Sequence, residues 1–315
     1  MDIVDLGQLE KKKYKNVVLT IGNFDGIHLG HQKILNSVIT SAKKIKGTSF
    51  AITFEPHPSK VLYPERGVRT LSPSDEKIRL MAHLGLDVLC FVKFTKDFAS
   101  IPAHDFIKDV LVDKIGVREV IVGHNYSFGK GKKGTTSLLR RQGRKYGFTV
   151  RVIRNARLYG DVASSSRIRS LIGRGRVCEA SLFLGRPYML MGTVIKGAGR
   201  GKRLLDTPTA NILPLNELTP KEGVYAVKVR VDKRQYEGVM NIGRNPTFSG
   251  VAASYEVHIF DFSEDIIGKT LMVYFIDRIR DEKTFADHID LKGQIKKDIV
   301  AVKTILAKKK HPKMI

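Results

Sequence analysis

The sequence has only two cysteines, Cys90 and Cys178, in 315 residues, and 31 acidic residues against 55 lysines and arginines. Two thiols make no disulfide framework and read as small buried hydrophobes. No apolar run approaches the roughly 18 residues that span a bilayer, so no membrane-embedded segment is expected. The opening Met1-Asp2-Ile3-Val4-Asp5 lacks a basic start followed by an apolar core, so no secretory signal is expected and the cytoplasm is the expected compartment. His and Cys do not cluster at zinc-ligand spacing. Zinc-finger, helix-turn-helix and base-stacking aromatic patterns are missing too, so nothing makes nucleic-acid binding specific. There is no internal repeat and no long low-complexity linker.

The shortage of acids leaves a formal charge of +24. The excess runs through both halves, with a short cluster at Lys308-Lys309-Lys310 near the C-terminus. A dispersed positive field steers anionic small substrates toward clefts and also permits nonspecific nucleic-acid binding. It favours polyanionic ligands without choosing among them. At this length, with 42% hydrophobic residues, the chain has room for two domains with sizeable cores.

Short β-branched runs at 17–21, 49–54, 88–92, 119–122 and 148–153 alternate with helical patterns near 32–46, 75–84, 102–114 and 136–146. Such alternation predicts a parallel sheet with helices on both faces, and ligands at the carboxyl ends of its strands. From about residue 188 the texture changes to apolar and aromatic runs at 188–195, 224–231, 236–242, 255–260 and 271–275, separated by turns rich in Gly, Asp, Asn and Pro. This reads as an antiparallel barrel or sandwich. A final amphipathic helix is expected over Phe285–Leu306, and Gly185-Arg186-Pro187 is the natural joint.

Directly after the first strand comes Gly22-Asn23-Phe24-Asp25-Gly26-Ile27-His28-Leu29-Gly30-His31. A strand, a glycine-spaced turn and a helix form a phosphate site: glycines let backbone N–H groups approach an anion, and His28 and His31 put donors where charge builds on a transferring phosphoryl group. Two histidines three apart also fit a metal pair or plain polar loop residues, but no third or fourth ligand is at hand. The spacing resembles the His-x-Gly-His signature of nucleotidyltransferases.

Further segments join this reading. In Thr53-Phe54-Glu55-Pro56-His57-Pro58, two prolines fix a turn that holds Glu55 and His57 at the sheet edge, though a mere strand stop would read the same. Gly123-His124-Asn125-Tyr126-Ser127-Phe128-Gly129 follows another strand, and Lys130, Lys132 and Lys133 after it are either phosphate contacts or solvated lysines. Ser164-Ser165-Ser166-Arg167-Ile168-Arg169 opens a helix whose hydroxyls cap free N–H groups, while Arg167 and Arg169 offer fork-shaped donors for triphosphate oxygens. In the second half, Gly197-Ala198-Gly199-Arg200-Gly201-Lys202-Arg203 precedes Thr207-Pro208-Thr209-Ala210-Asn211. The loop gives donors for ATP phosphates or is an ordinary basic hairpin; Thr209 and Asn211 carry oxygens of the kind Mg²⁺ accepts. Glu256, on a strand pattern, is either a general base facing a cleft or a solvated face residue.

With these motifs in order, residues 1–185 resemble the FMN adenylyltransferase module of bacterial bifunctional riboflavin kinase/FAD synthetases, and residues 186–315 resemble their riboflavin kinase module. The second match rests on Pro208–Asn211, Asn241–Phe248, Glu256–His258 and Arg280, Glu282, Lys283, Gln294, Ile295 and Asp298. Relatives often carry Asp where Asn125 stands, Thr where Ser166 stands and Arg where Asn245 stands, and the loop at Leu205-Asp206-Thr207 is one residue longer.

The resemblance implies a Rossmann-like doubly wound α/β nucleotidyltransferase domain followed by an antiparallel β-barrel with a C-terminal helix. It assigns ATP in the transferase to Gly22, Asn23, Phe24, Gly26, His28, His31, Ser164, Arg167 and Arg169, and flavin or its phosphate to Asn125 and His57. In the kinase it assigns ATP and Mg²⁺ to Gly197, Gly199, Arg200, Gly201, Thr209 and Asn211, the metal itself to Thr209 and Asn211, flavin to Arg280 and the base to Glu256. His28, His31 and Glu256 are the expected catalytic residues. Riboflavin, FMN and ATP are the expected small-molecule partners, with FMN as intermediate and FAD as product, no specific nucleic acid and no membrane; oligomeric state stays open. Two other readings remain: a nucleotidyltransferase for another phosphorylated acceptor with a degenerate kinase half, and a basic RNA-binding protein on a transferase scaffold.

Overall fold

The computed structural model describes residues 1–196, 209–247, 250–285 and 287–308. Contacts divide the chain into two compact units, Met1–Thr70 with Ser74–Ala163, and Leu71–Pro73 with Ser164–Ile315.

In the first unit the elements run β1 (Asp2–Asp5), β2 (Val17–Ile21), α1 (Leu29–Lys44), β3 (Ser49–Glu55), α2 (Pro58–Leu62), α3 (Ser74–Leu84), β4 (Val88–Lys93), α4 (Lys96–Ser100), α5 (Ala103–Asp105), β5 (Val117–Gly123), β6 (Ser127–Phe128), β7 (Gly134–Thr135), α6 (Thr136–Tyr146), β8 (Thr149–Ile153), β9 (Arg157–Leu158) and β10 (Asp161–Val162). Six strands form one sheet in the order β1-β4-β3-β2-β5-β8, every pair parallel. The order reverses at β2 and β5, so the loops leaving these neighbours open at a switch point, where parallel sheets bind ligands.

β2 is buried along its whole length. Val17, Leu19 and Ile21 join the larger core on one face, while Val18 packs with Val38 and Ala42 of α1 on the other. Successive side chains alternate across a strand, so a run apolar at every position is what a sheet covered on both faces requires.

The expected helix over 102–114 is instead the short α5 followed by a π-type segment, Phe106–Ile115, closed by Gly116 in the left-handed conformation. Cys90 is buried, but Cys178 is only half-buried, which corrects the reading of both as core residues.

The second unit begins with α7 (Ser165–Gly173) and α8 (Val177–Leu184). Then β11 (Tyr188–Ile195), β12 (Ala210–Pro214), β13 (Gly223–Val231), β14 (Arg234–Thr247), β15 (Gly250–Ile259) and β16 (Thr270–Arg280) close into a barrel in the order β11-β12-β15-β14-β13-β16, with β11 paired back to β16. A barrel rather than a sandwich results, and closure leaves no free edge. Tyr225, Val227, Val229 and Phe275 are fully buried, and the Tyr225 and Phe275 rings meet edge to face at 5.1 Å. The alternate face of β13 carries Ala226, which packs against Val302 and Leu306 of the last helix, α9 (His288–Lys308). That helix starts later than the expected Phe285.

Arg280, at the end of β16, grips Asp298 of α9 through Nε at 3.1 Å and Nη2 at 2.7 Å, while Gln294 donates to the same carboxylate at 2.8 Å. Both partners are largely buried. Removing one side of such a pair strands a buried charge. Asp298→Ala is expected to lower unfolding free energy by about 3 kcal/mol, read by urea denaturation, whereas breaking the exposed pair Lys269–Asp232 is expected to leave stability nearly unchanged.

Candidate functional site

The turn after β2 holds three residues in left-handed conformation, Phe24 (φ 48), Gly26 (φ 77) and Ile27 (φ 37). Gly26 adopts it without steric cost; Phe24 and Ile27 do so while buried, so packing compensates the strain. The Phe24 ring meets His31 edge-on at 5.3 Å, and the His28 and His31 rings stack at 3.7 Å. His28 caps α1, its Nδ1 accepting from the Gly30 N–H at 3.1 Å. Nδ1 is therefore an acceptor and the neutral ring carries its proton on Nε2.

Burial, the adjacent His28 and the charge of Lys77 hold His31 well below the usual imidazole range. His31 is thus a neutral imidazole, and its buried Nδ1 has no hydrogen-bond partner. A turn lined by backbone N–H groups and neutral imidazoles can offer donors to an anion.

His57 follows β3 and N-caps α2, accepting from Ser59 N–H at 3.2 Å. Its Nε2 lies 3.1 Å from Asn23 Nδ2, so two segments far apart in sequence meet. The Thr53 hydroxyl donates to the Asn23 carbonyl at 3.2 Å and accepts from Lys77 Nζ at 3.3 Å. Sequence reasoning missed Lys77; the available signal was its place on α3 one turn before Leu80 and Met81, on the buried face.

Asn125, exposed beyond β5, accepts from His124 Nδ1 at 2.7 Å. Next to it, burial pushes the Tyr126 phenol far up, and its ring stacks on Phe128 at 5.4 Å. Lys130 and Lys133, though not Lys132, line a cleft of about 600 Å³ together with His104, Thr135, Ser137 and Arg141.

In the second unit Ser164 caps α7, its hydroxyl accepting from Arg167 N–H at 3.3 Å, as its position before the helix predicted. The Arg167 guanidinium lies 5.5 Å from the Phe183 ring centroid.

On the barrel, Asn211 of β12, Glu256 of β15 and Asn241 of β14 sit directly opposite one another across adjacent strands. Residues in register share a face of the sheet, so Glu256 stands between two amides. Asn241 belongs with them although only its motif was noted from sequence. The row continues to Val224 and Arg280, on the barrel's outer side. Arg280, expected at the flavin, has its guanidinium committed to Asp298 and the Asp281 carbonyl. The expected phosphate residues Gly197, Gly199, Arg200 and Gly201 lie outside the described residues.

The two constellations do different chemistry. The imidazole turn supplies donors and no covalent nucleophile, which suits transfer onto an acceptor that is already an anion. The barrel row sets a carboxylate where it can take a proton from a hydroxyl, with amide oxygens beside it. Together the two constellations fit a transferase with two modules.

Residues 10–167 match the FAD synthetase family and residues 184–306 the riboflavin kinase family. The bifunctional riboflavin kinase/FMN adenylyltransferase of Buchnera aphidicola subsp. Acyrthosiphon pisum is 37% identical over 295 residues, 93% of this chain and 94% of that one. The protein of the same name from Escherichia coli K12 is 34% identical over 291 residues, 92% and 93% of the two chains. A crystal structure described as a macrolide-efflux protein from Streptococcus pneumoniae has a TM-score of 0.88 at 31% identity, covering 96% of this chain and 99% of that one. The chain belongs to the bifunctional riboflavin kinase/FMN adenylyltransferase family. Among the described residues no helix is long and apolar enough to cross a membrane.

A Cβ on Gly30 would stand 3.0 Å from His28 Cε1, 3.1 Å from its Nδ1 and 3.4 Å from the Ala163 carbonyl oxygen. The imidazole must shift to admit it. Gly30→Ala is expected to slow FAD formation from FMN about 10- to 100-fold, with FMN formation from riboflavin unchanged. Separate assays of the two steps check this.

Proposed function

We propose a division of labour in which each module performs one ATP-dependent step, with residues 1–185 as the adenylyltransferase and 186–315 as the kinase. The chain is a riboflavin kinase and an FMN adenylyltransferase: it phosphorylates riboflavin to FMN, then adenylylates FMN to FAD with release of pyrophosphate. The observation that carries this is the presence of both family matches, each spanning its own constellation, in one polypeptide. The riboflavin kinase match over the barrel weighs against a degenerate second half.

In the kinase step the ribityl 5′-hydroxyl attacks the γ-phosphorus of ATP, ADP leaves, and Glu256 takes the hydroxyl proton. Thr209 and Asn211 form an all-oxygen donor set, with Asn211 in register with Glu256, which fits a small hard cation. Bound there, Mg²⁺ would neutralise phosphate charge. Asn241 orients Glu256 from the other side. Gly197, Gly199, Arg200 and Gly201 are proposed phosphate contacts on the family motif. Arg280 serves the flavin side by holding α9 through Asp298.

In the transferase step a phosphate oxygen of FMN attacks the α-phosphorus of a second ATP, the α–β bridging bond breaks, and pyrophosphate leaves with the electron pair. The attacking phosphate is already ionised, so no strong base is required. His28 Nε2–H and the neutral His31 donate to phosphate oxygens, with the turn N–H groups from Gly22 to Gly26 around them. Ser164, Arg167 and Arg169 are proposed ATP contacts, and His57 and Asn125 contacts of flavin or its phosphate. The proposed compartment is the cytoplasm, and no specific nucleic-acid partner is proposed.

His28→Ala is expected to abolish FAD formation and spare FMN formation. Glu256→Ala is expected to abolish FMN formation and, when FMN is supplied, to spare FAD formation. Chromatography of flavins after incubation with Mg-ATP reads both. Equal loss of both steps from either change would count against separate sites.

A further inference from the structure

Lys77 is a buried lysine that the reaction scheme above does not use. It lies on α3, 6% exposed, on the face that carries Leu80 and Met81 into the core. A lysine normally leads its ammonium out to water; this one is turned inward. Among the described residues its ammonium hydrogen-bonds the Thr53 hydroxyl at 3.3 Å and has no carboxylate within ion-pair distance. Glu55 and Asp25 are the acids whose field it feels, and the Glu55 carboxylate accepts from the Ser74 hydroxyl at 2.8 Å.

Its position is as telling as its burial. Thr53 passes the contact on to the Asn23 carbonyl, the second residue of the imidazole turn, so the ammonium is tied to the loop that carries His28 and His31. The Lys77 charge also reaches His31, where it helps keep that imidazole neutral. An ammonium carries three donors, and the Thr53 hydroxyl takes one. A buried cation short of counter-charge costs stability in the free protein, and burial lowers its proton affinity. A phosphate anion would supply the missing charge.

We propose that Lys77 is a direct cationic contact for the triphosphate of ATP in FAD formation, resting on the reading of the first module given above. The reaction is unchanged in its balance: the FMN oxygen–α-phosphorus bond forms, the α–β bridge breaks, and no proton moves through Lys77. The ammonium offsets charge on the triphosphate oxygens as the bridge breaks.

The test uses the full chain with FMN, ATP and Mg²⁺, and in parallel with riboflavin. Lys77→Met keeps the length and apolar stem of the side chain and removes the charge. It is expected to lower kcat/KM for ATP in FAD formation about 100-fold or more, to leave FMN formation within twofold, and to leave the melting temperature unchanged or raised. Lys77→Arg, which keeps the charge, is expected to recover at least tenfold over Lys77→Met. Lys77→Gln, which can still hydrogen-bond Thr53, is expected to be as deficient as Lys77→Met.

Retention of FAD formation within threefold in Lys77→Met or Lys77→Gln would overturn the role. So would a loss matched by a lowered melting temperature and not recovered in Lys77→Arg, since that pattern belongs to packing. A wild-type chain that makes FMN but no FAD would overturn the transferase reading itself, a result separable from either variant outcome.

Discussion

A turn that packs two neutral imidazoles near one buried ammonium is the constraint on which the first module depends. His28 and His31 stack at 3.7 Å, and Lys77 is buried within electrostatic reach of His31. Burial first, then His28 and the Lys77 charge, keep His31 neutral, and burial lowers the proton affinity of Lys77 against the pull of Glu55 and Asp25. The left-handed Phe24 and Ile27 and the hydrogen bonds through Thr53 and Asn23 keep the groups from relaxing apart.

The barrel solves a different problem. Its step needs a base for a hydroxyl proton, and it offers a carboxylate in register with an amide on each side. Strand register does the positioning here: opposite residues on antiparallel neighbours share a face, and closure of the sheet removes the freedom to slip. The same register line runs on to Arg280, whose grip on Asp298 fastens the last helix over the outer face. Packing of Ala226 against Val302 and Leu306 does the rest.

Legibility varied with the kind of signal. β2, β3 and β4 were readable because strands covered on both faces are apolar nearly throughout, β5 from its apolar end at 120–122, and β8 from the alternation of Thr149, Val150, Arg151 and Val152 at the sheet edge. β1 was not, since four residues with two aspartates on an exposed edge carry no such pattern. β12 was read only as part of a phosphate motif, because five residues ending in proline look like a loop until β11 and β15 pair with them. The His-x-Gly-His turn and the Ser164 cap were legible, each resting on local chemistry within four residues. Asn241 and Lys77 were not singled out, because an asparagine on a strand and a lysine on a helix are ordinary surface residues unless tertiary contacts say otherwise.

What the sequence by itself determined is the local chemistry. Glycine spacing allows the turn, β-branched runs impose strands, hydroxyls cap helices, and motif order marks two modules. Only the tertiary structure decided that His57 meets Asn23, that Glu256 stands between Asn211 and Asn241, and that the Lys77 ammonium turns into the protein beside His31. Hydrogen bonds within a turn depend on neighbours in the chain, whereas strand register and the burial of a charge depend on which distant segments pack together.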